Sequence, residues 1–371
     1  MTTTTRREFF SRAGAATLAV PAAAVASARK DPTEPHRERG SPLWIDGLSA
    51  VTLDEKGFDA LARSSLTMIS ATVGIGLGPR DTPNYTYDAA VTDLVHWQGT
   101  FARHCDRLRH VRCAEDILQA HREGKTGVML NFQNATHLNR DIRNLQFFYD
   151  LGVRQIQLTY NELNSLGAGC TERADVGLSY FGIEVIEKMN ALGILVDLSH
   201  CGVQTTLDAI EASKKPVLFT HTNCRALNDN PRCKSDDQIR KVAAKGGLIG
   251  LTTYGTYISA TPPVTVNDFM AHLEHAVNLV GVEHVSIGSD TAVQYWEPPK
   301  SEQEFWKAQQ QRPSNFSLPL GTHWGDWIED LNGPGKFATL DKSLRERGLR
   351  SSDIEKILGG NLLRVYREVI G

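Results

Sequence analysis

The stretch that decides the fold is residues 181–221, FGIEVIEKMNALGILVDLSHCGVQTTLDAIEASKKPVLFTH. Its first part places Val185, Met189 and Leu192 at spacings of four and three, which is the pattern of one helix face, and Gly193 then stops the helix. A mostly apolar run follows, and the same order of helix and apolar run is repeated once before residue 221. Continuous apolar runs that alternate with helices are typical of buried parallel strands.

The same alternation extends outward in both directions. Eight short apolar runs are found near Leu43–Leu48, Ser65–Val73, Thr126–Phe132, Arg154–Tyr160, Gly193–Ser199, Pro216–Thr220, Gly247–Thr253 and His284–Ser289. Eight parallel strands with helices between them predict a single (β/α)8 TIM barrel of the α/β class. A doubly wound open sheet is the alternative, and it would carry a Gly-rich turn after its first strand. The glycines of residues 74–78 follow the second run instead, and they predict a loop.

The chain after the eighth run has a different composition. Residues Thr291–Pro334 are rich in Trp, Pro and Ser and predict a long insertion after strand eight, and C-terminal helices are expected to begin near Ser352 and Asn361. Residues 42–371 are therefore predicted to form the barrel with its insertion and tail.

The N-terminus is typical of an exported protein. Arg6 and Arg7 precede an Ala-rich apolar segment at residues 13–26, and small residues follow it. This order predicts a twin-arginine-type signal peptide over residues 1–28, with residues 29–41 as a leader to the mature chain. We therefore expect a periplasmic protein, or one otherwise exported by the twin-arginine route; an uncleaved N-terminal anchor is the alternative.

Composition excludes several classes of function. The 371 residues are 41% hydrophobic and 22% charged, which is typical of a folded globular protein. The formal charge is −3 and the basic residues form no long run, so nucleic acid is not expected as a partner. No apolar stretch reaches the ~20 residues of a membrane span. Six cysteines include no C-x-x-C pair, and a disulfide between Cys224 and Cys233 is left open.

Polar residues follow several of the predicted strands. Strands three and four end at Gln133 and Tyr160, strands five and six end at His200 and His221, and strand eight ends at Asp290. The active site of a (β/α)8 barrel lies where the strands end, so these side chains are expected to share one mouth. Two imidazoles and a carboxylate are a plausible ligand set for a metal ion. For either histidine alone, a hydrogen bond to a loop is the alternative.

The chain also resembles a known family. The resemblance is carried by residues 194–200 (ILVDLSH), 216–221 (PVLFTH), 177–182 (GLSYFG), 287–290 (IGSD) and 360–365 (GNLLRV). In this order they are similar to the membrane (renal) dipeptidase family of zinc metallopeptidases. The resemblance implies a (β/α)8 barrel of the metal-dependent hydrolase type, which holds two zinc ions and cleaves dipeptides.

Several functional residues follow from the resemblance position by position. His200 and His221 match the two histidines of one zinc ion, and Asp290 matches the aspartate that handles the proton of the attacking water. Arg232 falls where the family places an arginine for the substrate carboxylate, a role that suits the bidentate guanidinium group. Tyr254, at the end of strand seven, is a weaker candidate for the same substrate pocket.

The chain departs from the family pattern at three places. Residues 46–50 read DGLSA where the family has Asp-Gly-His-x-Asp, and neither Leu48 nor Ala50 can bind zinc. Gln133 stands in place of the glutamate that bridges the two metals, and its amide oxygen could ligate one metal only weakly. Tyr160 replaces a histidine that stabilises the tetrahedral intermediate, and a phenol can still donate a hydrogen bond. We therefore expect one zinc ion, not two.

Together these residues predict a metal-dependent dipeptidase that hydrolyses dipeptides or small peptide-derived substrates by metal-activated water. The expected metal ligands are His200, His221, Asp290 and Gln133. Asp290 is expected to act as the base and Tyr160 to steady the oxyanion, while Arg232 and Tyr254 contact the substrate. The alternatives are another enzyme on the same barrel, acting on a small amide, ester or peptide-derived metabolite, and a metal-free binding protein. A homodimer is left open. Two further histidines, His272 and His275, are predicted to lie on the surface.

Overall fold

The computed structural model describes residues 41–77, 83–295 and 327–371. Its strands are β1 (Trp44–Ser49), β2 (Leu66–Thr72), β3 (Gly76–Leu77), β4 (Pro83–Asn84), β5 (Leu108–His110), β6 (Thr126–Phe132), β7 (Val153–Gln157), β8 (Leu195–Asp197), β9 (Val217–Thr222), β10 (Leu248–Leu251) and β11 (Val285–Ile287). Its α-helices are α1 (Glu55–Ser64), α2 (Tyr87–Arg103), α3 (Ala114–Glu123), α4 (Arg143–Asp150), α5 (Tyr180–Leu192), α6 (Val203–Ala212), α7 (Asp236–Ala244), α8 (Gly255–Ile258), α9 (Val266–Val280), α10 (Lys336–Glu346), α11 (Ser351–Glu355) and α12 (Asn361–Val369).

Eight of these strands form a nearly closed parallel barrel. Their order is β1–β2–β6–β7–β8–β9–β10–β11, and β5 pairs with β6 outside this path. The chain beyond β11 returns to β1, because the Asp290 amide donates to the Leu48 carbonyl at 2.9 Å and the Val293 amide donates to Ala50 at 2.8 Å. The predicted (β/α)8 barrel is confirmed, and the open-sheet alternative is wrong.

One end of the barrel is filled by apolar side chains. Six barrel strands contribute to one buried cluster, through Ile45, Met68, Met129, Leu195, Leu218 and Leu248. Leu362 and Tyr366 of α12 belong to the same cluster, so the C-terminal helix covers this end. Side chains that fill the barrel leave the carboxyl ends of the strands as the place for a functional site.

Local signals in the sequence explain several element boundaries. Ser179 caps α5 by accepting a hydrogen bond from the Gly182 amide, and Gly193 ends the helix with a φ of 76°, which glycine adopts without strain. The predicted helix face is confirmed, since Val185 and Met189 are buried. The C-terminal helices are confirmed as α11 and α12.

Other expectations have mixed outcomes. In the predicted glycine loop, Gly76 pairs with Asn84 in the short antiparallel hairpin β3–β4. All six cysteines, which lie in the described ranges, are free thiols. The prediction that His272 lies on the surface is wrong: its ring is buried, accepts from the Cys224 amide at 3.1 Å and donates to the Ile258 carbonyl at 2.9 Å.

Parts of the sequence predictions fall outside the described residues. The signal peptide and residues 29–40 of the leader lie before the first described residue, and most of the predicted insertion lies in residues 296–326. Among the described residues, no helix is both long enough and apolar enough to cross a membrane.

Candidate active site

The candidate site lies where the parallel barrel strands end. Tyr160 follows β7, His200 follows β8, His221 lies near the end of β9 and Asp290 follows β11. Since neighbouring parallel strands end at the same rim, the barrel brings these distant positions of the sequence to one face.

His200 and His221 form a buried pair. Their Nε2 atoms lie 3.1 Å apart, and the two residues are 2% and 0% exposed. The structure therefore brings together the two histidines that the sequence singled out. Because both rings are buried, what the pair can bind depends on which ring nitrogens carry a hydrogen.

The Nδ1 atom of each ring has a hydrogen-bond acceptor. His200 Nδ1 lies 2.6 Å from the amide oxygen of Asn161, which can only accept. His221 Nδ1 lies 2.7 Å from Thr220 Oγ1, and that hydroxyl donates its own hydrogen to Asp197 at 2.6 Å. Both Nδ1 atoms are therefore donors, and in the neutral rings both Nε2 atoms carry lone pairs that face each other.

Two lone pairs at 3.1 Å need a cation between or beside them. Burial, followed by the positive charge of Arg232, holds the pKa of each imidazole well below its usual range, so a proton is disfavoured. Two nitrogen ligands at about 2.0–2.1 Å from a tetrahedral zinc ion lie about 3.3 Å apart. The pair therefore fits two ligands of one metal ion.

Asp197 holds the ends of β8 and β9 together. Its carboxylate accepts the backbone amides of Ser199 and Thr220 at 3.0 and 3.2 Å, and both of their hydroxyls at 2.6 Å. This network fixes the loops that carry the two histidines. Such outer partners orient a metal-binding imidazole and set its tautomer.

Asp290 is placed at the same rim in a strained turn. Its φ of 58° is left-handed, which a non-glycine residue rarely adopts. Burial raises the pKa of its carboxyl group to about 7, with Asp46 adding to the rise and Arg232 and Lys336 opposing it. Within the described residues, no group of three His, Cys, Asp or Glu side chains is placed to hold a metal ion. His200, His221 and Asp290 thus lie at the same rim, but their three side chains do not together form a metal site.

Gln133 is engaged elsewhere in the barrel. Its side-chain nitrogen donates to Thr72 Oγ1 at 2.9 Å, and its backbone carbonyl accepts from Gln157 at 2.5 Å. The contacts described for this side chain include neither histidine. Its role as a metal ligand stays a prediction.

Tyr160 lies directly against the histidine pair. Its ring stacks on His200 with centroids 4.0 Å apart and an angle of 20°, and the ring of Tyr85 packs against Tyr160 with centroids 5.4 Å apart. Burial raises the pKa of the Tyr160 phenol well above its usual range. The phenol therefore keeps its proton and can act only as a neutral hydrogen-bonding group.

Arg232 is completely buried and binds the backbone of the two histidine loops. Nη1 donates to the Ser199 carbonyl at 2.8 Å and Nη2 donates to the His221 carbonyl at 2.6 Å. In the described residues, Nε is the buried nitrogen of this group without a hydrogen-bond partner. Each Nη atom also carries a second N–H, so the guanidinium keeps donors beyond these two bonds, and its carboxylate-binding role stays a prediction. Tyr254, the other predicted substrate contact, stacks on Tyr257 at 5.2 Å.

A charged network lies where β1 meets the chain after β11. The buried Asp46 carboxylate accepts from the Ser289 hydroxyl at 2.6 Å and from the Ser289 amide at 2.8 Å. The Lys336 ammonium donates to the same hydroxyl at 3.0 Å. Leu48 and Ala50, at the end of β1, contribute backbone pairing to this region.

Several of these residues were not identified from the sequence as part of a functional site. Asp46 and Asp197 interrupt apolar runs that predict buried strands, and a charge at such a position is costly without partners. That interruption is a signal that could have found them. Asn161 and Lys336 carry no comparable signal, because only the fold brings them to the site.

A cavity of about 620 Å³ opens beside Tyr160. It is lined mainly by tyrosine, asparagine and threonine, with two acidic residues: Tyr85, Thr86, Tyr87, Asp88, Asn134, Thr136, Asn139, Tyr160, Asn161, Glu162, Leu163 and Asn164. Ligand pockets typically have volumes of about 300–1,000 Å³, and this cavity falls within that range.

The barrel and the buried histidine pair define the chain as a (β/α)8 barrel of the metal-dependent hydrolase type. The model of the membrane dipeptidase family, peptidase family M19, matches residues 82–303, and the chain belongs to this family. An amidohydrolase structure from Pseudomonas aeruginosa is similar, with a TM-score of 0.76, 30% identity, and coverage of 88% of this chain and 96% of that chain.

Two curated relatives are named as dipeptidases. An uncharacterized dipeptidase of Schizosaccharomyces pombe is 31% identical over 296 residues, which cover 78% of this chain and 64% of the relative. The dipeptidase verJ of Clonostachys rogersoniana is 29% identical over 280 residues, which cover 75% of this chain and 63% of the relative. The chain thus spans less than two thirds of the length of these two relatives.

Proposed function

We propose that the chain is a metal-dependent hydrolase that cleaves the amide bond of dipeptides or small peptide-derived substrates. The observation that carries the proposal is the His200–His221 pair, whose Nε2 lone pairs converge at 3.1 Å while both Nδ1 atoms donate elsewhere. Membership of the dipeptidase family and the names of the two curated relatives support the substrate class.

One zinc ion is proposed as the cofactor, held by His200 and His221, with Asp290 as a third ligand. A bound Zn²⁺ supplies a water of pKa near ~7 and polarises a carbonyl oxygen. A single ion is proposed because Leu48 and Ala50 offer no ligand at the end of β1.

The chain's own residues would handle the proton and the developing charge. The Asp290 carboxylate lies at the same rim as the two histidines, which supports it as the group that would accept the proton of the attacking water. The Tyr160 phenol stays protonated and its ring stacks on His200, which supports the proposal that it donates a hydrogen bond to the developing oxyanion of the substrate. Arg232 holds the carbonyls of Ser199 and His221 and thereby fixes both histidine loops.

A second enzyme function on the same site is favoured by two observations. The end of β1 lacks the histidine and aspartate that the family pattern has, and a cavity of about 620 Å³ lies beside Tyr160. The second candidate is therefore hydrolysis of another small amide, ester or peptide-derived metabolite.

The test uses the chain purified without a metal-affinity step, its zinc content, and a panel of dipeptides. We expect about one zinc per chain and hydrolysis that a chelator abolishes, with both lost in His200→Ala and kept in the exposed-site control His96→Ala. Zinc binding without hydrolysis of any dipeptide would favour the second candidate. No stoichiometric metal after zinc is supplied would overturn the hydrolase proposal and favour a binding protein.

Export is proposed on the N-terminal sequence alone. The Arg6-Arg7 pair and the Ala-rich segment support a twin-arginine signal and a periplasmic location. Replacing both arginines by lysine should leave the chain inside the cell, as cell fractionation would show; unchanged export would contradict the proposal. A homodimer stays a prediction, which light scattering of the mature chain can check.

A further inference from the structure

We propose that Lys336 is a positioning residue for Asp290, and that its ammonium group clamps the strained turn that presents this carboxylate to the metal site. Lys336 is the first residue of α10, 46 positions along the chain from Asp290. The proposal rests on the metal role proposed above for Asp290. It goes further, because it assigns a function to a residue outside the strand ends.

The contacts of Lys336 surround Asp290 on both sides. Its Nζ atom donates to Ser289 Oγ at 3.0 Å, to Thr291 Oγ1 at 2.5 Å and to the Ala292 carbonyl at 3.3 Å. The residue is 4% exposed, so these three oxygens replace the water that the ammonium would otherwise bind. One side chain thus joins the residue before Asp290 to the two residues after it.

The turn at Asp290 needs such support. Its left-handed φ of 58° is unfavourable for a residue with a side chain, and a strained conformation persists only where its surroundings hold it. The Asp290 amide donates to the Leu48 carbonyl at 2.9 Å, which holds one side of the turn against β1. The Lys336 ammonium holds the flanking residues through their side chains and a carbonyl.

The charge of Lys336 also has a partner. Ser289 Oγ accepts from Lys336 and donates to the buried Asp46 carboxylate at 2.6 Å, so a hydroxyl connects the cation to the anion. Both Asp46 and Asp290 act on Lys336 electrostatically. A buried ammonium is costly to desolvate, and a neutral polar residue would satisfy the same oxygens at lower cost. The positive charge therefore points to a role toward the carboxylates.

The experiment compares four proteins: wild type, Lys336→Met, Lys336→Gln and Lys342→Met. The last is the matched control, since Lys342 lies on the same helix with its side chain largely exposed. Zinc affinity is measured by competition with a chromophoric chelator, and the visible absorption of the cobalt(II)-loaded protein reports the ligand geometry. Amide hydrogen exchange of the metal-free protein is followed in peptides that cover residues 288–293.

We expect Lys336→Met to weaken zinc binding at least tenfold, to change the cobalt absorption and to speed exchange at residues 288–293, while Lys342→Met changes none of them. Lys336→Gln retains hydrogen bonding without the charge, and it should still weaken zinc binding. It also replaces the Met variant if circular dichroism shows that variant to be unfolded. Wild-type zinc affinity and cobalt absorption in a folded Lys336 variant would overturn the proposal.

The failure of this proposal and that of the proposed function can be distinguished. If the wild-type protein binds no metal, the hydrolase proposal fails, and the exchange data still decide on the clamp. Faster exchange confined to residues 288–293, with the loop at 198–202 unchanged, would support it. Unchanged exchange in the Lys336 variants would overturn it.

Discussion

The imidazole of His221 reaches the carboxylate of Asp197 through a single hydroxyl. Thr220 Oγ1 lies 2.7 Å from His221 Nδ1 and donates to Asp197 at 2.6 Å. The direction of these two bonds fixes the tautomer of His221 and leaves its Nε2 atom as a lone-pair donor. For the proposed zinc ion, the binding capacity of the ring would therefore depend on Thr220, whose hydroxyl sets the tautomer.

Replacing Thr220 by valine tests this dependence. The variant keeps the side-chain shape but removes the acceptor for His221 Nδ1, so zinc affinity should fall about 10–100-fold. The measurement is zinc competition against a chelator. Thr206→Val is the control, because Thr206 is also buried and its hydroxyl donates to the backbone carbonyls of Cys201 and Gly202, just before α6, and not to a histidine ring. Equal zinc affinities in the two variants would contradict the role of the hydroxyl.

A second prediction concerns the phenol of Tyr160. Tyr160→Phe keeps the ring that stacks on His200 and removes only the hydroxyl, so zinc content should stay at the wild-type value. If the hydroxyl donates to the oxyanion, kcat should fall about 10²–10³-fold with little change in KM. Steady-state kinetics on the best dipeptide decides this. Tyr149→Phe, on α4 and not among the residues that line the cavity, is the control, and a Tyr160→Phe enzyme with wild-type kcat would rule the role out.

A variant of Arg232 can distinguish a structural role of this residue from a role in substrate binding. Arg232→Met leaves the buried carbonyls of Ser199 and His221 without their donors, which costs about 1–3 kcal/mol each when nothing replaces them. We therefore expect a lower free energy of unfolding in urea and weaker zinc binding. An unchanged free energy of unfolding together with a raised KM would instead assign Arg232 to the substrate carboxylate.

Much of the fold could be predicted because strands buried on both faces leave long apolar runs. All eight barrel strands overlap the predicted runs, and Gly193 marks the end of α5 as expected. Parallel strands end at one rim, so the positions of His200 and His221 followed from the same pattern. The distance between their Nε2 atoms could not be predicted from this pattern, because it depends on the hydrogen-bond partners of the two side chains.

The remaining site residues could not be predicted for physical reasons. Lys336 is distant from Asp290 along the chain, and no local pattern records a contact made through the fold. The surface prediction for His272 failed because helical spacing does not show which neighbours cover a face; the ring is buried by the residues of α8 and the loop at Cys224. A polar residue in a helix can be buried wherever it finds both a donor and an acceptor.

The last prediction concerns stability against acid and depends on His110. Its ring stacks on Phe101 with centroids 4.3 Å apart, and burial, followed by the charge of Arg112, lowers the pKa of the imidazole to about 4. The unfolded chain binds this proton near pH 6.5, whereas the folded chain refuses it until about pH 4. The neutral ring therefore contributes stability fully above pH 6.5, and this contribution is lost as the pH falls toward 4, with a slope of at most about 1.4 kcal/mol per pH unit.

Urea unfolding between pH 7.5 and 4.5 measures this slope in wild type, His110→Gln and the exposed-site control His96→Gln. The cost of losing the ring itself is the same at every pH, so only the difference in slope matters. We expect the free energy of unfolding of His110→Gln to fall less steeply below pH 6.5 than that of wild type, with His96→Gln following wild type. Parallel curves for all three proteins would show that His110 does not titrate between the two states.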